Sequence, residues 1–307
     1  MGKKDKLTKK YLSDNKRFAD IFNAYLYDGK QIIRPDDLKE LDTTLITNIK
    51  GLDITRIRDI YKEDIIKTDG KNTYLLLGIE NQSNIDHTMP LRKMIYDALT
   101  YLKQLDNDDP YNKQDYHLKP IITLTLYWGD KSYDGPLSLK EMILDLDHNL
   151  ESFIDDVKIN LISFIDLEYF SIINKLHDEN LRYTLEALYY RNDKTGLFNL
   201  LNNKNKYGNM SLQDAKIISE FTKLKIPRKT NGGGYDMCKA IEELKHDFFV
   251  EGKAEGINEG KIETIKDMIK MLKNVLGDFN LVYEQFLNSD NLKDIDKSFI
   301  EKIYNES

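Results

Sequence analysis

The stretch "TYLLLGIENQSNIDHTMPLRKMIYDALTYLKQ", residues 73–104, begins as a buried strand and then turns polar. The short apolar run at its start is typical of a strand. Residues 89–104 have helical spacing, and Pro90 is tolerated in the first turn of a helix. Between these elements, Glu80 and Gln82 lie beside apolar neighbours, and Arg92 follows on the helix. Polar and charged groups at the end of a buried strand indicate a functional site.

The segments that follow predict an α/β fold. "KPIITLTLYWG" (119–129) is apolar and β-branched, and a strand that follows a helix indicates a βαβ crossover to a parallel neighbour. "VKINLISFIDL" (157–167) has the same character. From about residue 170 the apolar period becomes helical, and "KTNGGGYD" (229–236) is the best linker candidate. The chain is therefore predicted to be α/β first and all-α later.

The segments before this stretch predict a helix and a hairpin. In "SDNKRFADIFNAYLYDG" the apolar residues recur at helical spacing, with Ser13 or Asp14 as N-cap and Gly29 as the stop. Residues 35–50 are predicted as a short helix from Pro35 followed by irregular chain. Residues 56–66 and 73–82 are predicted as strands.

The Asp69-Gly70 pair between these strands is a strong hairpin signal. If the two residues form a tight turn, Asp59 faces Glu80, and directly opposed Cβ atoms lie about 4.5 to 5.5 Å apart. Gln82 lies two positions along the same face. In a four-residue loop, Asp59 would instead face Gln82, with Glu80 diagonally near. Both registers bring the three side chains together.

Two opposed carboxylates destabilise a sheet unless a cation lies between them or one is protonated. Oxygen-only ligands suit Mg²⁺, which binds one or two carboxylates and keeps positions for water and a substrate phosphate. A metal there would polarise a phosphodiester and make water a better nucleophile. The alternative interpretation is a solvent-exposed hairpin face whose acids take no part in chemistry.

Several motifs in order carry a resemblance to a known family. They are Asp59 followed 21 positions later by Glu80 in "ENQS", then "MPLRKMIYDALTYLKQ" (89–104) and "PIITLTLYWG" (120–129), with "RFADIFN" (17–23) before them and "EGKAEGINEGKIE" (251–263) after them. The chain resembles the Rpn family of recombination-promoting nucleases, also labelled transposases, within the PD-(D/E)XK nuclease superfamily. The resemblance covers most of the chain and implies a mixed sheet flanked by helices.

The resemblance also implies site residues. Asp59 and Glu80 match the two acids that are both catalytic and metal ligands, and the backbone carbonyl of Asn81 matches a third ligand of Mg²⁺ or Mn²⁺. Gln82 is expected to be catalytic, but it stands where the superfamily motif has lysine. Glutamine orients water only through hydrogen bonds, whereas lysine also brings a positive charge. The resembling family itself tends to carry glutamine there.

Three other residues are candidates for the site or its surroundings. Arg92 and Tyr96 lie one helical turn apart and are predicted to clamp a DNA phosphate, unless they form a solvated helix face. Asp20 is a candidate for a second metal position, or else an ordinary acid on a helix surface. Arg58, by strand alternation, is predicted to point away from Asp59 and to be structural.

The implied function is a Mg²⁺-dependent DNA endonuclease that hydrolyses phosphodiester bonds and is associated with recombination or mobile DNA. One rival is a strand-transfer transposase, which would need three carboxylates, and another is a catalytically inactive DNA-binding or interaction protein. The expected organisation is a nuclease-like core at 1–170, a helical extension packed on the core at 171–230, and a C-terminal helical region at 231–307.

Glycines 252, 256 and 260 recur every four residues in what is otherwise predicted as one long helix. Each costs up to about 1 kcal/mol in a helix interior relative to alanine. This cost has two interpretations. The glycines let a second copy of the helix approach closely in a homodimer, or they form a flexible connector.

Composition excludes several classes of protein. The net charge of −7 argues mildly against nonspecific coating of nucleic acid, although not against a nuclease whose acids bind divalent cations. With a single cysteine, a disulfide-rich or multi-cysteine metal protein is excluded, and a reducing cytoplasm is expected. No long apolar window is present and no membrane partner is expected. The five histidines lack the spacing of a zinc site.

Overall fold

The computed structural model describes residues 3–49, 52–68, 71–105, 117–288 and 295–306. The chain divides into two compact units, residues 1–241 and 242–307. The strands are β1 Lys39–Glu40, β2 Thr44–Ile49, β3 Leu52–Ile57, β4 Ile60–Thr68, β5 Lys71–Gln82, β6 Ile121–Tyr127 and β7 Asn160–Ser163. The helices are α1 Lys3–Leu12, α2 Asn15–Leu26, α3 Met89–Leu105, α4 Leu167–Ile173, α5 Glu179–Tyr189, α6 Lys194–Leu201, α7 Lys204–Tyr207, α8 Leu212–Thr222, α9 Met237–Leu276, α10 Phe279–Leu287 and α11 Lys297–Glu306.

The main sheet is mixed. Within the described residues its strand order is β1-β4-β5-β6-β7, and β2 and β3 form a separate antiparallel pair. β4 runs antiparallel to β5, whereas β5, β6 and β7 are parallel. The parallel pairing of β5 with β6 across α3 confirms the predicted βαβ crossover. A mixed sheet flanked by helices, followed by helical segments, confirms the predicted fold class and fits a nuclease-like core.

One face of the sheet carries the main hydrophobic core. Odd-numbered residues of β5, such as Leu77 and Ile79, pack there with Trp128 and with apolar residues of α2. The helices after residue 170 join the same core through residues that include Leu185 of α5 and Phe221 of α8. Asp14, one of the two predicted N-cap candidates, caps α2 by accepting hydrogen bonds from the backbone amides of Lys16 and Arg17.

The opposite face of the sheet is covered by α3. Because side chains alternate along a strand, the even-numbered residues of β5 face this helix. The layer is more polar than the main core. Arg58 bridges the sheet and α3 by donating hydrogen bonds to Thr123 of β6 and to Asp97 and Thr100 of α3.

Three predictions about the first sixty residues are corrected. Residues 35–50 do not begin with a helix: a turn at 35–37 leads into β1 and then β2, whose "TLITNI" is rich in β-branched residues that favour strands. The predicted strand 56–66 is divided between β3 and β4, because the chain leaves the ladder at Arg58 and Asp59. The basic start of the chain, for which no helix was predicted, forms α1 at Lys3–Leu12.

The unit 242–307 has its own small core. It is built from Ile269, Val282, Phe286, Ile300 and Ile303 of the last three helices. Glycines 252, 256 and 260 lie within α9, as the long-helix prediction expected. Among the helices in the described part of the chain, none combines the length and the apolarity needed to cross a bilayer. The three-part division of the chain and the helix-mediated homodimer stay predictions.

Candidate active site

The register of the β4–β5 hairpin decides which acids meet. The strands pair from Ile60 opposite Ile79 to Thr68 opposite Lys71. This is the register predicted for a tight turn, and the four-residue loop is excluded. The turn residues 69 and 70 themselves lie outside the described residues. One step beyond the paired region, the same register sets Asp59 against Glu80.

Asp59 lies immediately before β4, where the ladder has ended. Its Oδ2 accepts a hydrogen bond of 2.8 Å from the backbone amide of Asn81. The half-buried carboxylate is thereby held at the end of β5 by one oxygen. The structure thus sets Asp59 against Glu80, as the tight-turn register predicted, and in contact with the backbone amide of Asn81.

Glu80 is the most unusual ionisable group of the site. Its side chain is only 2% exposed, on the face of β5 that α3 covers. Burial, together with the negative charge of Asp59, raises the pKa of Glu80 to about 8. Its Oε1 has no hydrogen-bond partner within the described residues, and neither does Oγ1 of Thr125, the residue opposite Glu80 on β6.

Arg92 reaches Glu80 from α3, and Tyr96 contacts Arg92 on the same helix. Nη2 of Arg92 lies 3.8 Å from Oε2 of Glu80 and donates a 3.3 Å hydrogen bond to Oη of Tyr96. Nη1 of the same guanidinium binds Oδ2 of Asp86 at 2.5 Å. Two carboxylates therefore hold the one cation, whose side chain remains 34% exposed. Arg92 therefore lies beside Glu80, and the phosphate contact expected for Arg92 and Tyr96 stays a prediction.

Arg58 is structural, as predicted, but lies on a different face than alternation indicated. Its guanidinium is 0% exposed and forms an ion pair of 2.9 Å with Asp97 of α3. It also lowers the pKa of Glu80. Arg58 thus shares the α3 face with Glu80. Alternation fails here because residues 58 and 59 lie between β3 and β4, outside either strand.

Gly78 makes room for this arginine. A Cβ at position 78 would lie 2.8 Å from Nη1 of Arg58 and 3.3 Å from Oγ1 of Thr123. The arginine is buried and bonded to both the sheet and α3, so it cannot move aside freely. A glycine inside a strand is the sequence signal for such a close approach.

Replacing Gly78 by alanine is therefore expected to destabilise the unit 1–241 by about 1 to 3 kcal/mol, as overpacking does in other cores. The measurement is the midpoint of thermal or denaturant unfolding. Gly232→Ala is the matched control, because the added Cβ would meet only Oγ1 of Thr230 at 3.8 Å. Equal midpoints for the two variants would contradict the packing assigned to Gly78.

Trp128, predicted only as core packing, holds the end of β5. Its backbone amide donates to the carbonyl of Gln82 at 2.8 Å, and its indole Nε1 donates to Oδ1 of Asn81 at 2.9 Å. The side chain of Asn81 thus points into the main core. Gln82 is half-buried, and strand alternation places it on the Glu80 face.

Sequence reasoning missed a contribution from α1. Asp5 accepts a 2.7 Å hydrogen bond from Oγ of Ser83, the residue that follows β5. One turn along the helix, Lys9 is half-buried. Burial raises the pKa of Asp59, while the amide of Asn81 and the ammonium of Lys9 lower it and the charge of Asp5 raises it. The first helix therefore contributes charges of both signs to the site.

Asp20, the candidate for a second metal position, has other partners. Its carboxylate accepts hydrogen bonds from the backbone amides of His177 and Asp178 and from the side-chain amide of Gln31. It thereby ties α2 to the start of α5. No contact between described residues joins Asp20 to Asp59 or Glu80, which speaks against the predicted second metal position.

The oxygen donors of the site fit one divalent cation that takes only a few of its ligands from the protein. Asp59 and Glu80 offer oxygens, and the buried Oε1 of Glu80 has no other partner in the described part of the chain. Among these residues, no group of three or more His, Cys, Asp or Glu side chains is arranged to hold a metal. Water and substrate would therefore complete the coordination, as Mg²⁺ prefers.

Comparison with known proteins identifies the family of the chain. A search of curated proteins and a search of solved structures each gave no match. A family profile described as "Putative transposase, YhgA-like" matches residues 3–206. This range contains α1, both strands of the hairpin, α3 and every residue of the candidate site. The match covers about two thirds of the 307 residues, and so the chain belongs to the YhgA-like transposase family.

Proposed function

We propose that the protein is a metal-dependent DNA endonuclease that hydrolyses phosphodiester bonds during recombination or the movement of mobile DNA. The family description indicates an interaction with DNA. The nuclease activity, a PD-(D/E)XK-like site and Mg²⁺ or Mn²⁺ as cofactor are part of the proposal. The single cysteine supports a cytoplasmic location.

The observation that carries the proposal is the pairing of Asp59 with a buried Glu80 whose Oε1 lacks a partner among the described residues. Burial of an acid beside another acid costs free energy unless a proton or a cation compensates the charge. A divalent cation held by both carboxylates, and by the Asn81 carbonyl, would remove that cost. Bound there, it would withdraw charge from the phosphodiester oxygens and favour attack by water.

The chain's own residues would position the reacting groups. Arg92 is one-third exposed beside Glu80 and would bind a phosphate oxygen. Gln82, on the Glu80 face, would donate a hydrogen bond to the attacking water or accept one from it. The water oxygen bonds to phosphorus as the bond to the leaving oxygen breaks. One proton of the water ends on that leaving oxygen, and the other dissociates.

The test is incubation of purified protein with supercoiled plasmid. We expect nicked and linear DNA in Mg²⁺ or Mn²⁺ and intact plasmid in EDTA. Asp59→Asn protein, purified in parallel, controls for contaminating nucleases. Binding of DNA without cleavage in either metal would favour the inactive DNA-binding rival. Joining of DNA ends, in place of hydrolysis, would favour the strand-transfer rival.

A further inference from the structure

Negative charge is in excess at the candidate site. Asp59 and Glu80 together face a phosphodiester that carries its own negative charge. In the resembling superfamily a lysine at the motif position brings one positive charge, and this chain has the neutral Gln82 there. The charge of the missing lysine must then be compensated from another element, or the site is weaker for its absence.

Among the described residues, three cations act on the two acids: Arg58, Arg92 and Lys9. Arg58 is fully buried and paired with Asp97, so a substrate does not reach it. Arg92 lies beside Glu80, where it is assigned to the substrate phosphate, and it is also held at 2.5 Å by Asp86. Lys9 is the third cation, and it acts on Asp59.

The placement of Lys9 follows from the docking of α1. Asp5 and Lys9 are four residues apart, so they lie on one face of the helix. The 2.7 Å hydrogen bond between Ser83 and Asp5 fixes this face over the end of β5, one residue beyond Gln82. At the other side of the helix, Tyr11 donates a 2.7 Å hydrogen bond to Asp214 of α8. α1 is thus anchored on both sides.

We propose that Lys9 of α1 takes the place of the motif lysine. Its ammonium group brings to Asp59 and Glu80 the positive charge that Gln82, at the motif position, does not have. The inference rests on the proposed nuclease function. Lys9 stabilises the negative charge that grows on the scissile phosphate during attack, and its three N–H donors orient the attacking water. Gln82 then contributes a hydrogen bond, while the positive charge comes from a different element of the fold.

The experiment compares Lys9→Met with three other variants. Methionine removes the charge and keeps a long flexible stem. Lys9→Arg keeps the charge. Lys10→Met makes the same change at the next residue, which instead lines a cleft with Leu7 and Leu224. The double variant Lys9→Met/Gln82→Lys returns a lysine to the motif position. Each is assayed for plasmid nicking in Mg²⁺ and for Mn²⁺ affinity by calorimetry.

We expect Lys9→Met to slow nicking by about a hundredfold, the effect of removing one preorganised donor at a developing charge. Lys10→Met should nick at a rate near that of the wild type, and Lys9→Arg, which keeps the charge, should lose less than Lys9→Met. The double variant should nick at least about tenfold faster than Lys9→Met. Mn²⁺ should bind Lys9→Met more tightly than the wild type, because a neighbouring positive charge has been removed. A merely structural lysine would weaken Mn²⁺ binding when replaced.

Nicking by Lys9→Met at the wild-type rate would overturn the proposal. An equal loss of nicking rate in Lys9→Met and Lys10→Met would also overturn it. If the wild type cleaves no DNA at all, the proposed function fails, while the Mn²⁺ titration still decides where Lys9 lies. In that case tighter Mn²⁺ binding by Lys9→Met alone supports its placement. Equal Mn²⁺ affinities of the two methionine variants, or no Mn²⁺ binding by any protein, overturn it.

Discussion

Asp59→Asn and Glu80→Gln are each expected to slow Mg²⁺-dependent plasmid nicking by about a thousandfold, because a bound cation contributes several kcal/mol to the transition state. Both substitutions keep the shape of the side chain and remove one carboxylate from the proposed metal site. DNA binding in EDTA should be tightened by Asp59→Asn, since that change lowers the repulsion between the site and the phosphates. Near neutral pH it should be unchanged in Glu80→Gln, because a pKa of about 8 keeps the metal-free acid largely protonated. The measurements are initial nicking rates and DNA affinity by fluorescence anisotropy.

Asp64→Asn is the matched control for these variants. Asp64 lies on β4 and is 1% exposed, so it is a buried acid of the same hairpin. Its replacement makes the same chemical change in the same hairpin, away from the site, and should leave the nicking rate near that of the wild type. Nicking by Asp59→Asn and Glu80→Gln at the control rate would remove both acids from the chemistry.

The pH dependence of stability is expected to change strongly in Glu80→Gln. An unfolded glutamate releases its proton near pH 4.5, whereas burial raises the pKa of folded Glu80 to about 8. Between these values the folded state binds more protons than the unfolded state, so the free energy of unfolding falls as pH rises. The difference in pKa corresponds to roughly 5 kcal/mol at full effect. Glutamine has no proton to release, so Glu80→Gln removes this contribution to the pH dependence of stability.

The measurement is the unfolding midpoint at pH 5 and at pH 8.5, for the wild type, Glu80→Gln and Glu301→Gln. Glu301 is exposed, so its replacement should leave the wild-type pH dependence unchanged. We expect a smaller fall between the two pH values in Glu80→Gln alone. At pH 8.5, Mg²⁺ should raise the midpoint of the wild type and not of Glu80→Gln, because a ligand of the folded state stabilises it. Parallel pH curves for all three proteins would contradict the burial of an ionisable Glu80.

The sequence was sufficient for the elements that depend on local patterns. Asp14 before a helical apolar period predicted α2 and its cap. The Asp69-Gly70 pair, together with alternation, predicted a register that places Asp59 against Glu80. The apolar run 121–127 after a helix predicted a parallel strand. In each case the decisive residues lie close together in the chain, so propensity and spacing are enough.

What the sequence could not predict depends on contacts between distant segments. Arg58 breaks the strand alternation because it reaches Asp97 and Thr123, which follow it by 39 and 65 residues. Asp20 resembles a surface acid on its helix, but the amides of His177 and Asp178 surround it. Lys9 lies in a run of lysines that all look alike, and only the docking of α1 on Ser83 distinguishes it. Packing over such separations leaves no local pattern.

The anchoring of α1 determines how far an autonomously folding fragment must extend. The family match ends at residue 206, before α8 begins at Leu212. Yet α8 holds α1 through the hydrogen bond between Tyr11 and Asp214, and it buries Phe221 against the sheet core. A protein truncated at the end of the match would expose that core and release the helix that carries Lys9. The smallest self-sufficient folded fragment is therefore longer than the family match and reaches to about residue 241.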